Sequence, residues 1–183
     1  RDALKGMLSG QMKYNVWNKL VKRRLYLDNG ISFPNGHSMG EDMTMLCVAA
    51  CAKSVAYINQ PLYHYVRDNA NALTQKFSYK QIEDINFNVE RTMAFLDNLS
   101  IDMGVERSFF KLNVKLPLLI TDDWDSYRCW NSWFPETNMF IRHNSNMAIR
   151  TRLLQEMANK RFYVGVWLYY QIVYRIIYNM LYK

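Results

Sequence analysis

The sequence HSMGEDMTMLCVAACA, residues 37–52, sets two adjacent carboxylates, Glu41 and Asp42, at the start of a strongly apolar segment. On a helical wheel the side chains from Met43 to Cys51 leave no polar face, and a helix that is apolar all round is a buried one. The pattern therefore predicts a buried helix with a charged end.

The residues around this charged end predict how the helix begins. Ser38 and Glu41 have the spacing of a capping box, in which each side chain satisfies an unpaired backbone N–H. Asp42 is then left over, and the positive end of the helix dipole favours its ionised form, which can accept a proton. A plain helix cap is the alternative, because acidic residues are common in first turns for stability alone.

Other short motifs stand on either side of this pair. In chain order they are Trp17-Asn18-Lys19, Phe33-Pro34, Glu41-Asp42 and Leu62-Tyr63-His64-Tyr65, followed by Arg67 and Thr74. In this order and spacing, residues 14–74 resemble the second half of an inverting family 2 glycosyltransferase with the GT-A fold. The resemblance covers well under half of the chain.

The resemblance implies transfer of a sugar from a nucleotide-diphosphate donor to an acceptor hydroxyl, in cell-surface polysaccharide or glycan synthesis. Asp42 would be the catalytic base, and Glu41 would hold the acceptor or cap the helix. Donor or acceptor binding would fall to Trp17, Asn18, Lys19, Arg67, Asn69 and Thr74. Arg67 would face the diphosphate, since a guanidinium suits bidentate phosphate contact.

The resemblance also implies a divalent cation, Mn or Mg. Its ligands lie largely outside this chain, because the family's nucleotide-binding half, with its Asp-x-Asp motif, precedes the Trp-Asn-Lys motif. We therefore expect residues 1–77 to be the acceptor-side part of a GT-A domain, residues 78–183 to be a helical C-terminal extension, and this piece alone to be inactive. The run Thr121-Asp122-Asp123 looks like the metal motif but follows the Glu-Asp pair, so we interpret it as a helix start and assign no metal ligand.

The predicted fold class is mainly α with a small β-hairpin (α+β), within an α/β full-length enzyme. The hairpin would pair Ser54–Ile58 with Leu62–Arg67, and His64 would point with the apolar side chains. Hydrophobic spacing and turn residues predict helices at Val16–Asp28, Tyr79–Leu99, Val105 to about Pro117, and Asn146–Lys160.

Two aromatic regions lie in the second half. Trp124, Tyr127, Trp130, Trp133 and Phe134 predict packing of the helical extension, with a sugar-stacking or membrane-facing surface as the alternative. The segment Arg161–Lys183 is long enough to span a bilayer. However, Gln171, Arg175 and Asn179 mark one polar stripe, which predicts an amphipathic helix that packs or lies at an interface. Peripheral contact at the cytoplasmic membrane face is the resulting expectation.

Composition limits the partners. A hydrophobic content of 50% and an aromatic content of 15% exclude disorder. The net charge of +7 suits nucleic acid, acidic lipid or phosphorylated substrates, but no basic cluster is dense enough for a nucleic-acid tract, so we expect no nucleic-acid partner. Cys47 and Cys51 lack a second pair with zinc-ligand spacing and suggest small apolar roles in a reducing compartment.

The expected partners are a nucleotide sugar and a glycan or lipid-linked acceptor. A homo-oligomer is also possible, because apolar surface that faces a missing half would favour self-association. The alternative from another class is a non-catalytic helical interaction or membrane-surface module, whose carboxylates only cap a helix.

Overall fold

The computed structural model describes residues 1–64 and 79–178. The chain divides into two compact units. The first comprises Arg1–Met7 and Met12–Asp102, and the second comprises Leu8–Gln11 and Met103–Lys183. The described residues are mainly helical and contain no β-strand.

The helices occur throughout both units. The α-helices are α1 (Asp2–Leu8), α2 (Arg23–Asp28), α3 (Glu41–Cys51), α4 (Tyr79–Asn98), α5 (Val105–Lys115), α6 (Trp124–Ser132), α7 (Ile149–Asn159) and α8 (Tyr163–Tyr169). Short 3₁₀ segments are Val16–Asn18, Leu116–Leu119 and Pro135–His143. The π-helical segment Tyr170–Tyr178 continues α8.

The core of the first unit is built around α3. Every side chain from Met43 to Ala49 is buried, which confirms the predicted buried helix. Helix α4 contacts α3 and buries the side chains of Ile85, Val89, Met93 and Leu96. Their spacing of three or four residues is the one that predicted this helix.

The predicted helix Val16–Asp28 is wrong in its first half. Val16–Asn18 form one 3₁₀ turn, and the chain is extended at Lys19 before α2 begins. The backbone N–H of Val16 donates to the Asp42 carboxylate, and Leu20 is fully exposed. Of the apolar positions that suggested one continuous helix, Leu20 and Leu27 are exposed, while Val16 packs against the core.

The predicted end of that helix is confirmed. Asn29 caps α2, and Gly30 adopts a φ of +60°, a conformation that glycine reaches without a Cβ clash. The N–H of Ile31 then donates to the carbonyl of Tyr26 at 2.9 Å. This turn ends the helix as Asn-Gly predicts.

The predicted β-hairpin is also wrong. Val55, Tyr57, Ile58 and Leu62 are all more than half exposed, and no strand forms at residues 54–64. Strand propensity reflects the fit of a side chain to a half-buried pleated surface, which these side chains lack. His64 is exposed instead of lying with a core, and residues 65–67 lie outside the described residues.

The second unit packs around aromatic side chains of α5 and α6. Phe110, Tyr127 and Trp130 are fully buried, which confirms a packing role for part of the predicted cluster, whereas Trp124 is 42% exposed. Helix α5 ends before Pro117, as predicted. The predicted helix start at residues 121–125 is also correct, although the N-cap is Asp123, which accepts from the N–H groups of the first turn.

A buried lysine lies in this unit. The side chain of Lys115 is fully buried, and its Nζ donates to the carbonyl of Trp133 at 2.7 Å and to Asn138 Oδ1 at 2.6 Å. The same Nζ lies 4.1 Å from the ring centroid of Trp130. Burial lowers the pKa of Lys115 to about 7, because a low-dielectric surrounding disfavours the charged form.

The C-terminal segment is helical to Tyr178. Arg175 donates to Gln171 Oε1 at 3.1 Å, so these two members of the predicted polar stripe lie on one face, while Asn179 lies outside the described residues. Among the helices of residues 1–64 and 79–178, none combines the length and the apolar character needed to cross a membrane.

Candidate functional site

The Asp42 carboxylate anchors a surface loop in the first unit. Asp42 is half-buried in the first turn of α3. Its Oδ1 accepts from the N–H of Val16 at 2.7 Å, and its Oδ2 accepts from Asn15 Nδ2 at 2.9 Å. Each carboxylate oxygen carries two lone pairs, so each can accept one further hydrogen bond.

The Lys19 side chain forms hydrogen bonds within the same loop. Its Nζ donates to the carbonyls of Lys13 and Asn15, at 2.8 and 3.2 Å, and to Asn18 Oδ1 at 2.7 Å. Partial burial lowers the pKa of Lys19, while the negative charge of Asp42 acts in the opposite direction. The lysine therefore fixes the loop that Asp42 binds.

Tyr14 lies beside this carboxylate. Burial, together with the negative charge of Asp42, raises the pKa of the Tyr14 hydroxyl to about 12. The hydroxyl therefore remains protonated at neutral pH.

An exposed aromatic pair completes the site. Trp17 is 39% exposed and stacks on Tyr63, with ring centroids 4.9 Å apart and an angle of 29° between the rings. Trp17 follows the residue whose N–H binds Asp42, so Trp17 belongs to the anchored loop and Tyr63 packs against it. The sequence analysis did not select Tyr63 as a site residue, although it stands in the Leu-Tyr-His-Tyr motif and strand alternation put it on the same face as Arg67.

The predicted capping box is wrong. The N-cap of α3 is Gly40, which provides no side-chain cap. The Ser38 N–H and hydroxyl instead donate to Asp84 Oδ2 of α4, at 3.0 and 2.7 Å, and His37 Nδ1 lies 3.0 Å from Asp84 Oδ1. These hydrogen bonds, with those from Ser38 the strongest, hold the pKa of Asp84 below its usual range. Ser38 therefore donates to the charged carboxylate of Asp84 instead of capping α3.

Asn88 of α4 secures the same loop. Its Nδ2 donates to the carbonyl of Ser38 at 2.9 Å and to the carbonyl of Asp84 at 2.7 Å. A Cβ on Gly40 would clash with the Asn88 side chain and with Pro34. The glycine therefore permits the close approach of α4 to the loop that precedes α3, and this approach positions the first turn that carries Asp42.

The structure brings together the predicted residues that it describes. Asp42 binds the loop that contains Trp17, Asn18 and Lys19, and Glu41 is exposed at the first position of α3. The other predicted site residues, Arg67, Asn69 and Thr74, lie outside the described residues.

The implied divalent cation lacks a ligand set in the part of the chain that is described. No group of three or more His, Cys, Asp or Glu side chains there could hold a metal ion. Glu41 and Asp42 supply two adjacent carboxylates, which is fewer than a metal site needs. We therefore derive no catalytic step through a metal.

Comparison with known proteins finds a similarity to one named protein. No family model and no solved structure matches it. A Bacillus subtilis (strain 168) protein named "Putative glycosyltransferase EpsH" is 31% identical over 96 residues, which cover 51% of this chain and 28% of that protein. The matched region thus spans less than a third of the relative's length. This similarity supports a relationship to a glycosyltransferase.

Proposed function

We propose that this chain is the acceptor-side, C-terminal part of an inverting family 2 glycosyltransferase with the GT-A fold, and that Asp42 is its catalytic base. The observation that carries the proposal is the contact between the Asp42 carboxylate and the loop of Trp17, Asn18 and Lys19. These motifs are separate in the sequence but lie in contact in the structure. The similarity to a glycosyltransferase supports a role for this contact in sugar transfer.

The chemistry follows from the carboxylate's position. An acceptor hydroxyl would donate its hydrogen to a remaining lone pair of Asp42 while its oxygen attacks the anomeric carbon of the donor sugar. The nucleotide diphosphate leaves from the opposite face, so the anomeric configuration inverts. General-base assistance of this kind contributes about 10²–10⁴-fold to a rate.

The exposed aromatic pair suits the acceptor. The exposed part of this stacked pair would pack against the apolar face of a sugar ring, since aromatic side chains combine a large apolar surface with a polar edge. Lys19 and Asn18 would hold the loop that presents this pair. Arg67, Asn69 and Thr74 are assigned to substrate binding by the resemblance.

The proposal extends to the whole enzyme. Its substrates are a nucleotide sugar and a glycan or lipid-linked acceptor, it acts at the cytoplasmic face of the membrane in surface-polysaccharide or glycan synthesis, and its nucleotide-binding half holds the divalent cation.

The decisive experiment uses the full-length protein that carries this chain. Transfer is screened over nucleotide sugars with Mn²⁺ or Mg²⁺, and Asp42→Asn is expected to lower kcat by about 10²–10⁴-fold. The matched control is Asp123→Asn, which alters a carboxylate that accepts hydrogen bonds from the N–H groups of Asp125 and Ser126 but only caps α6. We expect this control to retain activity.

Two outcomes would contradict the proposal. Equal activity of Asp42→Asn and the unmodified enzyme would leave the enzyme class intact but remove Asp42 as the base. Absence of transfer with every donor and a range of acceptors would favour a non-catalytic module. The observation in favour of that second candidate is that both oxygens of Asp42 already bind the loop.

A further inference from the structure

A regular row of exposed apolar side chains follows the C-terminal helix of the second unit. Val164, Leu168, Ile172 and Ile176 recur every four residues, and each is between 44% and 54% exposed. Single exposed apolar residues are ordinary, but a contiguous row indicates an interaction surface. We name these four side chains the C-terminal stripe.

The helix geometry keeps the C-terminal stripe on one side. In an α-helix, four residues overshoot one turn by about 40°, so a row with this spacing drifts around the axis. From Tyr170 the helix continues in π-helical turns, which contain more residues per turn and offset this drift. Gln171 and Arg175 each precede a stripe residue and share one face, so a polar row borders the apolar one.

The sequence that carries the C-terminal stripe is basic. From Met157 to Lys183 the sequence contains Lys160, Arg161, Arg175 and Lys183 but neither Asp nor Glu. Lys160 and Arg161 are exposed just before the stripe, and Arg175 is exposed near its other end. Glu156 of α7 is the preceding carboxylate in the sequence, and Arg142 engages it at 2.9 Å.

We propose that the C-terminal stripe docks on the surface of an anionic lipid bilayer, with the helix lying in the plane of the interface. Apolar side chains bordered by Lys and Arg are the composition of such interfacial helices. A second copy fits less well, because a two-fold pairing would bring the same basic groups together. The inference does not depend on the proposed catalytic function.

Vesicle cosedimentation of the full 183-residue chain tests the apolar part. The probes are vesicles of equimolar phosphatidylcholine and phosphatidylglycerol, compared with phosphatidylcholine alone. We expect binding to the anionic vesicles, and Ile172→Ser with Ile176→Ser should weaken it by about tenfold for each residue. The matched control is Leu20→Ser with Leu27→Ser, which alters two exposed leucines of the first unit and should leave binding unchanged.

A second pair of variants tests the basic groups. Lys160→Gln with Arg175→Gln should weaken binding to the anionic vesicles by about fivefold per charge, and added salt should weaken it in the same way. Arg23→Gln with Arg24→Gln removes two exposed charges of the first unit and should have little effect. Because the substituted positions are exposed, we expect each variant to fold, and circular dichroism and thermal unfolding check this.

Three results would overturn the inference. The unmodified chain could fail to bind either vesicle, or the stripe variant could bind as well as the unmodified chain. A concentration-dependent dimer that the same stripe variant abolishes, without vesicle binding, would instead assign the surface to a second copy.

Discussion

Each unit holds an ionisable side chain that binds one backbone group and one side-chain amide, but the two are placed differently. In the first unit, Asp42 is half-buried and binds a surface loop beside the exposed ring of Trp17. In the second unit, Lys115 is fully buried and donates to protein acceptors. A ligand can therefore reach the carboxylate, whereas the amine is enclosed.

This difference separates two uses of a charge. A partly exposed group that retains hydrogen-bonding capacity can take part in chemistry. A buried and hydrogen-bonded group mainly fixes the arrangement of its neighbours. Matched changes in the two units should therefore have different effects.

The largest expected effect is in the second unit. Lys115→Ala should lower the free energy of unfolding by about 3 kcal/mol, because it leaves a cavity and removes the donor to Trp133 and Asn138. Urea unfolding measures this loss. Lys111→Ala is the control, since Lys111 pairs at the surface with exposed Glu136 and should change stability by about 1 kcal/mol or less. Equal losses of unfolding free energy in Lys115→Ala and Lys111→Ala would show that the buried contacts of Lys115 do not stabilise the second unit.

A pair of glycine substitutions compares the units at the backbone. Gly40→Ala should lower the free energy of unfolding by about 2 kcal/mol, because the new methyl group meets buried Asn88. At Gly165 the new methyl group meets the ring of Phe162, which is 56% exposed and can rotate away, and the flexible end of Met157, whose Sδ would lie 3.0 Å from the new Cβ. Gly165→Ala should therefore have almost no net effect, since alanine also favours the helix. Thermal unfolding distinguishes the two, and the reverse order would contradict the described loop packing.

The pH dependence of stability reports on Lys115 directly. Its pKa is about 7 in the folded protein and has its ordinary, higher value in the unfolded chain. Between these values the unfolded state binds more protons, so stability rises with pH by up to about 1.4 kcal/mol per unit. From about pH 7 to 8.5 this predicts a gain of about 1.5 kcal/mol, which Lys115→Met should abolish.

A cysteine of the first unit sets the upper limit of about pH 8.5 for this measurement. Burial raises the pKa of the Cys47 thiol to about 11, so ionisation of this cysteine in the unfolded state lowers stability in more alkaline solution. Urea midpoints of the unmodified chain and Lys115→Met should therefore be compared at neutral and mildly alkaline pH. A gain with pH that survives in Lys115→Met would assign it to another group.

Local patterns predicted the helices better than they predicted the site. The hydrophobic period of α4 and the proline after α5 act within one or two turns, so the sequence displays them. The partners of Ser38 and Val16 are remote: Asp84 lies 46 residues after Ser38, and Asp42 lies 26 residues after Val16. No short window contains both members of such a pair, which is why the capping box and the first half of the helix Val16–Asp28 were wrong.

The site itself was predicted only in part. The resemblance grouped Trp17, Asn18 and Lys19 with Asp42, and the hydrogen bonds to Asp42 place their loop beside it. The contribution of α4 was not predictable, because Asp84 and Asn88 look like ordinary polar residues of a helix in the sequence. Their function as loop anchors depends on the close approach that Gly40 permits.

A small effect on stability is expected for Asp42→Asn. We expect a loss of about 1 kcal/mol or less in the free energy of unfolding. The introduced amide oxygen can still accept from the Val16 N–H, and the amide of Asn15 can turn over to accept from the introduced NH₂ group. Urea unfolding beside Asp84→Asn gives the comparison, since Asp84 is buried and accepts from both the N–H and the hydroxyl of Ser38.

Asp84→Asn should therefore destabilise the first unit more than Asp42→Asn does. If the two variants lose equal stability, Asp42 is an anchor of the same kind as Asp84, and the exposed loop beside it needs no catalytic explanation. An Asp42→Asn variant that keeps its stability but has lost sugar transfer would instead assign a chemical role to Asp42. If Asp42 only held the loop, a substitution that abolishes transfer would also have to lower stability.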